Sequence, residues 1–239
     1  RAPGTAGGEK TKNYIASHFE SLGLSSFGGS YLMPVNLTGI NLNVDESYFN
    51  LSVNGEMLDL NYRTDVVYGT TRQIEEVTFD DSDLIFVGYG VNAPEYDWND
   101  YKVDDKGKTV LMLINDPGFE LKGAEFNGKA MTYYGRWTYK FEEAARQGAA
   151  GVLIIHETAP ASYPWGVVEN GWSGEQLNLT FADRNLNRSA LEGWITLETA
   201  EQLFAELGTS YDEMKSLALT KDFQPVAMEG MKLLSLIHI

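Results

Sequence analysis

The chain has 239 residues, of which 43% are hydrophobic and 12% aromatic, with no cysteine and a formal net charge of −16 at pH 7. This composition predicts a globular protein with a substantial core, and the lack of cysteine excludes disulfides and thiolate metal sites. The negative charge disfavours nucleic acids and anionic membranes as partners, and no apolar run approaches the roughly 20 residues of a membrane span.

The first part of the chain predicts one helix followed by short strands. Apolar residues recur at helical spacing over residues 9–21, and Gly23 is placed to end that helix. Loose alternation over residues 31–37 predicts a strand, which Pro34 confines to an edge or a bulge. Two more short strands are predicted, over residues 48–53 and 65–68, and Asn54-Gly55 favours a hairpin turn after the first of them.

The clearest pattern lies in the middle of the chain. Apolar runs over residues 109–114 and 151–155 flank a helical pattern over residues 135–147, which Gly148 can terminate. This order predicts a βαβ unit with two parallel, buried strands. The predicted core stripe of its helix consists of Trp137, Phe141, Ala144 and Ala145.

Elements on either side of this unit are weaker. A buried strand is predicted over residues 83–87, a loop over 158–177, a strand over 194–197, and helices over 200–207 and 211–218. Thr199 is the expected cap of the first of these helices. The apolar tail, residues 233–239, resembles nothing upstream, which suggests a cloning or sequencing artefact.

The three histidines do not form a recognisable metal motif. His156-Glu157 lacks the second histidine of a His-Glu-x-x-His zinc site. On a helix, His18 and Glu20 would point in different directions. We therefore expect structural roles for His18 and His156, and we assign none to His238.

Three other patterns fail to match known sites. The acidic loop over residues 95–105 lacks the glycine and closing glutamate of an EF-hand, so we expect a solvated loop above packed aromatic rings. Gly88-Tyr89-Gly90 precedes a loop rather than a helix, which argues against a nucleotide-binding α/β enzyme. Ser173 is no nucleophile elbow because Glu175 stands where glycine is required.

Tyr133-Tyr134-Gly135-Arg136-Trp137 is the most suggestive cluster. Two tyrosines, an arginine and a tryptophan at the start of a helix offer a stacking surface with a cation for a carboxylate or a peptide. The alternative is a structural cluster that packs and caps the helix, to which Trp137 would contribute as a core residue.

Four stretches resemble the protease-associated (PA) domain of bacterial M28-family zinc aminopeptidases: residues 83–91, 94–101, 107–118 and 128–152. The opening residues 4–10, the helix that follows and the strand from Tyr31 resemble the start of the peptidase domain. The resemblance implies an α/β fold, in which a β-rich PA domain with flanking helices and a βαβ unit is inserted after an incomplete helix-strand segment. The implied divisions are residues 1–58 (peptidase domain, incomplete), 59–220 (PA domain) and 221–239 (return to the peptidase domain).

The family's two zinc ions are held by a His-x-Asp pair, a Glu-Glu pair and further Asp and His ligands beyond the PA insertion. None of these motifs occurs in a matching place, and Glu142-Glu143 lies on the crossover helix. The resemblance therefore implies a fragment without catalytic residues, metal ligands or a cofactor of its own. Zinc is expected in the full-length parent, whose reading frame would continue beyond residue 239.

The resemblance further implies that the parent is a periplasmic or extracellular aminopeptidase. Its missing peptidase domain would bind the peptide substrate, and the PA domain would cover the cleft and help to select that substrate. The candidate substrate-binding residues are Tyr133, Tyr134, Arg136, Trp165 and Trp172. The alternative is a free-standing PA-type module that binds peptides or proteins without catalysis.

Overall fold

The computed structural model describes residues 2–123 and 125–239. The chain forms two compact units, Arg1–Leu37 and Thr38–Ile239. The first unit contains helix α1 (Ala6–Ser21), whose cap Thr5 accepts a hydrogen bond from Gly8 N at 3.1 Å. The predicted first helix is thus confirmed, with an earlier start. The predicted strand over residues 31–37 is wrong, because residues 31–36 have no regular structure.

The strands are β1 (Leu37–Ile40), β2 (Tyr48–Val53), β3 (Glu56–Met57), β4 (Val66–Gly69), β5 (Glu76–Phe86), β6 (Asn92–Ala93), β7 (Trp98–Asn99), β8 (Thr109–Leu113), β9 (Gly151–Ile155), β10 (Gln176–Leu179), β11 (Leu191–Ile195) and β12 (Val226–His238). The helices of the second unit are α2 (Trp137–Gln147), α3 (Thr158–Ala161), α4 (Trp165–Trp172), α5 (Leu197–Glu206) and α6 (Tyr211–Ala218). No helix among the described residues has the length and apolar character needed to cross a bilayer.

The second unit is built on an eight-stranded mixed sheet in the order β3-β2-β12-β5-β8-β9-β11-β4. Strands β5, β8, β9 and β11 run parallel, and the remaining pairs are antiparallel. The sheet is strongly curled. Strands β2 and β4 stand near opposite ends of the strand order, yet the rings of Phe49 on β2 and Tyr68 on β4 lie 5.2 Å apart. The predicted α/β class is therefore confirmed, in the form of a mixed, curled sheet with helices.

The predicted βαβ unit is confirmed. β8 pairs in parallel with β9, with Thr109 opposite Gly151, and α2 connects them. Every residue of both strands is buried, which is typical of parallel strands covered on two faces. Because the carboxyl ends of parallel strands meet at one edge, the residues that follow β8 and β9 are brought together there.

The apolar tail is an integral part of the sheet. β12 pairs with β2 on one side and with β5 on the other. Met231, Leu233, Ser235 and Ile237 are at most 1% exposed, because alternate residues of the strand point into the core. The compact units meet after Leu37, and β2 and β3 belong to the same sheet as β12. The predicted divisions at residues 58 and 220 stay predictions. The PA-domain assignment stays a prediction.

Three local expectations are wrong. The predicted loop over residues 158–177 contains α3 and α4, and Pro164 occupies the N-cap position of the second of these without a side-chain cap bond. Thr196, not Thr199, caps α5: its side chain accepts a hydrogen bond from Thr199 N at 3.2 Å. Strand β11 accordingly ends at Ile195, and Leu197 already belongs to the helix.

Burial of two groups also differs from expectation. Trp137, assigned to the core stripe of α2, is the first residue of the helix and is 44% exposed. In the acidic loop, Asp100 and Asp105 are buried rather than solvated. Asp100 accepts hydrogen bonds from Val91 N at 3.0 Å and from Trp98 Nε1 at 2.8 Å, which compensates its loss of water.

Candidate functional site: an aromatic cavity and a cationic pocket

Two polar residues directly after β8 fix the loops at the carboxyl edge of the sheet. Asn115, in the left-handed region with φ of 71°, donates through Nδ2 to Pro160 O at 2.8 Å. The buried Asp116 carboxylate accepts hydrogen bonds from Gly118 N at 3.1 Å and from Thr132 N and Oγ1 at 3.0 and 2.6 Å. The segment that leads into α2 is thereby held against the end of β8.

A cavity of about 360 Å³ lies within the second unit, and we call it the aromatic cavity. Its position is set by β4, β11, α4 and the start of α2, each of which supplies ring-bearing residues. The aromatic side chains that line it are Tyr68, Trp137, Tyr163, Trp172 and Trp194. Trp172 packs against Phe141 with ring centroids 5.6 Å apart, so this wall is anchored in the core. The size falls within the range of small-molecule and peptide side-chain sites.

A buried carboxylate interrupts the apolar lining of the aromatic cavity. Glu192 is 2% exposed, and its Oε1 accepts hydrogen bonds from Arg188 Nε at 3.0 Å and Nη2 at 2.8 Å. Within the described part of the chain, no group donates to Oε2. Burial raises the pKa of Glu192, and the Arg188 charge works in the opposite direction.

A second space of about 360 Å³, which we call the cationic pocket, lies beyond the end of β8. Arg136 and Lys129 line it, and no Asp or Glu side chain among the described residues does so. Arg136 is the N-cap residue of α2, and its side chain makes no cap bond, because a guanidinium has no acceptor for the N–H groups of the helix. The positive end of the α2 dipole lies at the same place.

Trp137 and Tyr163 line both spaces. Tyr163 is held by His156, whose Nε2 lies 3.0 Å from Tyr163 O. Burial lowers the pKa of His156, which favours a neutral imidazole that donates this hydrogen bond through Nε2. His156 thus has the structural role expected from the sequence, and it positions one of the two shared rings.

Two of the five predicted binding residues line these spaces. Trp172 lines the aromatic cavity and Arg136 lines the cationic pocket. Sequence proximity within the Tyr133–Trp137 cluster indicates Arg136, whereas the fold, through α4, brings Trp172 to the cavity that shares Trp137 and Tyr163 with the cationic pocket.

The other three predicted residues have partners elsewhere. Tyr133 donates its hydroxyl to Glu142 Oε2 at 2.7 Å, and Tyr134 donates to Glu95 Oε1 at 2.6 Å. Trp165 donates its indole N–H to Arg63 O at 2.8 Å. None of the three lines either space. Their role in binding stays a prediction.

Sequence reasoning missed Tyr163, Glu192 and Trp194 as members of the site, and it left Trp137 open between a binding role and a core role. The spacing of Arg188 and Glu192 was a usable signal, because a charge inside the short apolar strand Leu191–Ile195 needs a partner. Trp137 fits the core stripe equally well by periodicity, so only its position relative to the sheet could separate the two roles.

The zinc ions that the resemblance implies for the full-length parent have no ligand cluster among the described residues of this chain. No group of three or more His, Asp or Glu side chains among them is close enough to hold a metal ion. His18 stacks on Tyr14 within α1, and His238 Nε2 lies 3.5 Å from Glu76 Oε2 on the neighbouring strand. The two are in separate compact units.

No protein-family model matches the chain, and no curated protein sequence matches it. Several solved structures do resemble it. An aminopeptidase from Aneurinibacillus sp. strain AM-1 is 18% identical over 100% of this chain and 40% of its own, with a TM-score of 0.39. A zinc aminopeptidase from Bacillus subtilis is 20% identical over 65% of this chain and 28% of its own, with a TM-score of 0.27. The chain therefore spans less than half the length of either enzyme.

Proposed function

We propose that this chain is the non-catalytic, peptide-binding part of an exported, zinc-dependent aminopeptidase of the M28 type, in which a PA-like domain helps to select the substrate. The observation that carries the proposal is the aromatic cavity of about 360 Å³ beside Arg136. The cavity itself does not indicate a reaction, and the described residues contain no metal-ligand cluster. The reaction class, zinc-dependent peptide hydrolysis by the parent, therefore comes from the sequence resemblance.

The lining of the aromatic cavity suits a peptide. Trp172 and Val167 offer apolar surface for a side chain, and large rings contribute much of the binding free energy in such sites. Gln176 and Asn178 line the same cavity and carry amides that can both donate to and accept from a peptide backbone. Apolar walls with a few polar groups are typical of ligand sites that orient their ligand.

Isothermal titration of the chain with an N-acetylated, leucine-containing pentapeptide tests this binding. We expect saturable binding that Trp172→Ala weakens at least about fivefold, because it removes a wall of the cavity. Phe181→Ala is the control: it deletes an exposed aromatic side chain that lines neither space and should leave the affinity unchanged. No binding, or equal losses in both variants, would overturn the proposed binding site.

The non-catalytic part of the proposal has its own test. The chain is incubated with leucine p-nitroanilide and an excess of zinc, and release of p-nitroaniline is followed. We expect no release above the zinc-only reaction. Release that scales with the amount of chain would overturn the assignment.

A further inference from the structure

The aromatic cavity and the cationic pocket are neighbours. Trp137 and Tyr163 form part of both linings, so the two spaces meet at these two rings. The two spaces differ in chemistry, because one is mainly aromatic and aliphatic whereas the other carries two cations. This pairing suits a ligand with an apolar group next to an anionic one.

The cationic pocket is positively charged, although the chain as a whole is strongly acidic. The chain has a formal net charge of −16, yet Arg136 and Lys129 meet no carboxylate in the lining. Neither cation forms an ion pair with any residue that the structure describes, and Lys129 Nζ lies 5.7 Å over the Phe119 ring. The first turn of α2 contains no acidic residue. A local positive field thus persists where an anion can enter.

Resting on the proposed function, we infer that the site selects peptides in which a carboxylate adjoins a large apolar side chain. The apolar side chain occupies the aromatic cavity, and the carboxylate binds Arg136 in the cationic pocket. The planar guanidinium matches a carboxylate with two parallel hydrogen bonds, which Lys129 assists as a point charge. The carboxylate is either the free C-terminus after the apolar residue or the side chain of a neighbouring acidic residue.

Three N-acetylated pentapeptides separate these sources by isothermal titration. The first ends in leucine with a free carboxylate, the second is its C-terminal amide, and the third is the amide with glutamate immediately before leucine. We expect the free acid to bind about five- to tenfold more tightly than the amide, as for an exposed charge-assisted contact. If an acidic side chain is the true ligand, the third peptide binds most tightly instead.

Variants assign the effect to the pocket. Arg136→Gln should abolish the preference for the carboxylate and leave the affinity for the amide unchanged, and Lys129→Gln should weaken the preference by a smaller factor. Lys122→Gln is the matched control, since it removes an exposed charge from the same connection without lining either space. It should preserve the preference.

The outcomes separate this inference from the proposed function. If no peptide binds, the proposed function fails. If all three bind equally, or if Arg136→Gln weakens acid and amide alike, peptide binding stands and the carboxylate selectivity is overturned.

Discussion

The Asp116 carboxylate accepts two hydrogen bonds from Thr132, one from the backbone N–H at 3.0 Å and one from Oγ1 at 2.6 Å. Asp116 follows β8 directly, and Thr132 precedes the turn that leads into α2. This single side chain therefore ties the start of α2 to the sheet, and Arg136 and Trp137 take their positions from it.

Replacing Asp116 tests this tie. Asp116→Ala leaves three donors, on Gly118 and Thr132, without their acceptor, and we expect the free energy of unfolding to fall by about 2–3 kcal/mol. Urea denaturation measures the change. Asp59→Ala removes an exposed carboxylate and should change the stability by less than about 0.5 kcal/mol. Equal stabilities of the two variants would show that Asp116 does not anchor the loop.

Glu192 predicts a pH-dependent difference in stability. Its folded pKa lies above the ordinary value of 4.5 because of burial, so the folded state takes up this proton first as the pH falls. The free energy of unfolding of the wild type relative to Glu192→Gln should therefore rise as the pH falls through the folded pKa, and level off below 4.5. Glu201→Gln, at an exposed position of α5, should show no such trend. A difference that shrinks on acidification would contradict the assignment.

For Lys140 we expect the opposite trend: the stability that depends on this side chain should rise as the pH rises. Its ammonium is fully buried, donates to Tyr89 O and lies near Asp100 and Asp116. Burial lowers its pKa, and the two carboxylates oppose that shift. Because the unfolded chain binds this proton more tightly, the stability of the wild type relative to Lys140→Met should rise with pH up to the ordinary pKa of 10.5.

Guanidinium unfolding at several alkaline pH values measures this difference for Lys140. The slope should not exceed about 1.4 kcal/mol per pH unit, which corresponds to one proton. Lys122→Met, at an exposed lysine, serves as the control and should give a flat profile. A flat profile for Lys140→Met as well would mean that Lys140 keeps its ordinary pKa.

We expect the truncation of Leu233, a buried residue of β12, to cause a large loss of stability. Leu233 is 0% exposed and pairs with Leu51 on β2 and Ser82 on β5. Leu233→Ala should lower the free energy of unfolding by about 2–5 kcal/mol, as expected for a cavity in a packed core. Leu217→Ala, at a residue that is 53% exposed on α6, should cost far less. Urea denaturation of both variants decides whether β12 is structural.

The sequence predicted the elements whose signals are local. Helix α6 was found over residues 211–218, and the βαβ unit from β8 to β9 was found because its periodicity and turn residues agree. Helix α4 was missed because Gly166 and Gly171 have low helix propensity, although Pro164 is well placed to begin a helix. β12 was missed because its partners, β2 and β5, lie more than a hundred residues away and leave no local trace.

The candidate site was only partly predictable for the same reason. Arg136 was recognisable from its cluster of aromatic neighbours, and Trp172 from the composition of its segment. That these two residues line adjoining spaces depends on α4 packing beside the start of α2, which no local pattern encodes. The orientation of Trp137 likewise follows from where α2 meets the sheet, since helical spacing alone assigns it to the core.

The position of β12 has a consequence for how the second unit folds during synthesis. Residues 226–238 separate β2 from β5 in the sheet, so the hairpin of β2 and β3 has no neighbour to pair with until those residues have been synthesised. Contacts of such long sequence separation form slowly. During that interval the edges of β2 and β5 are open to pairing with other chains. We therefore expect the yield of folded protein to depend on concentration and on the rate of synthesis more than its final stability would suggest.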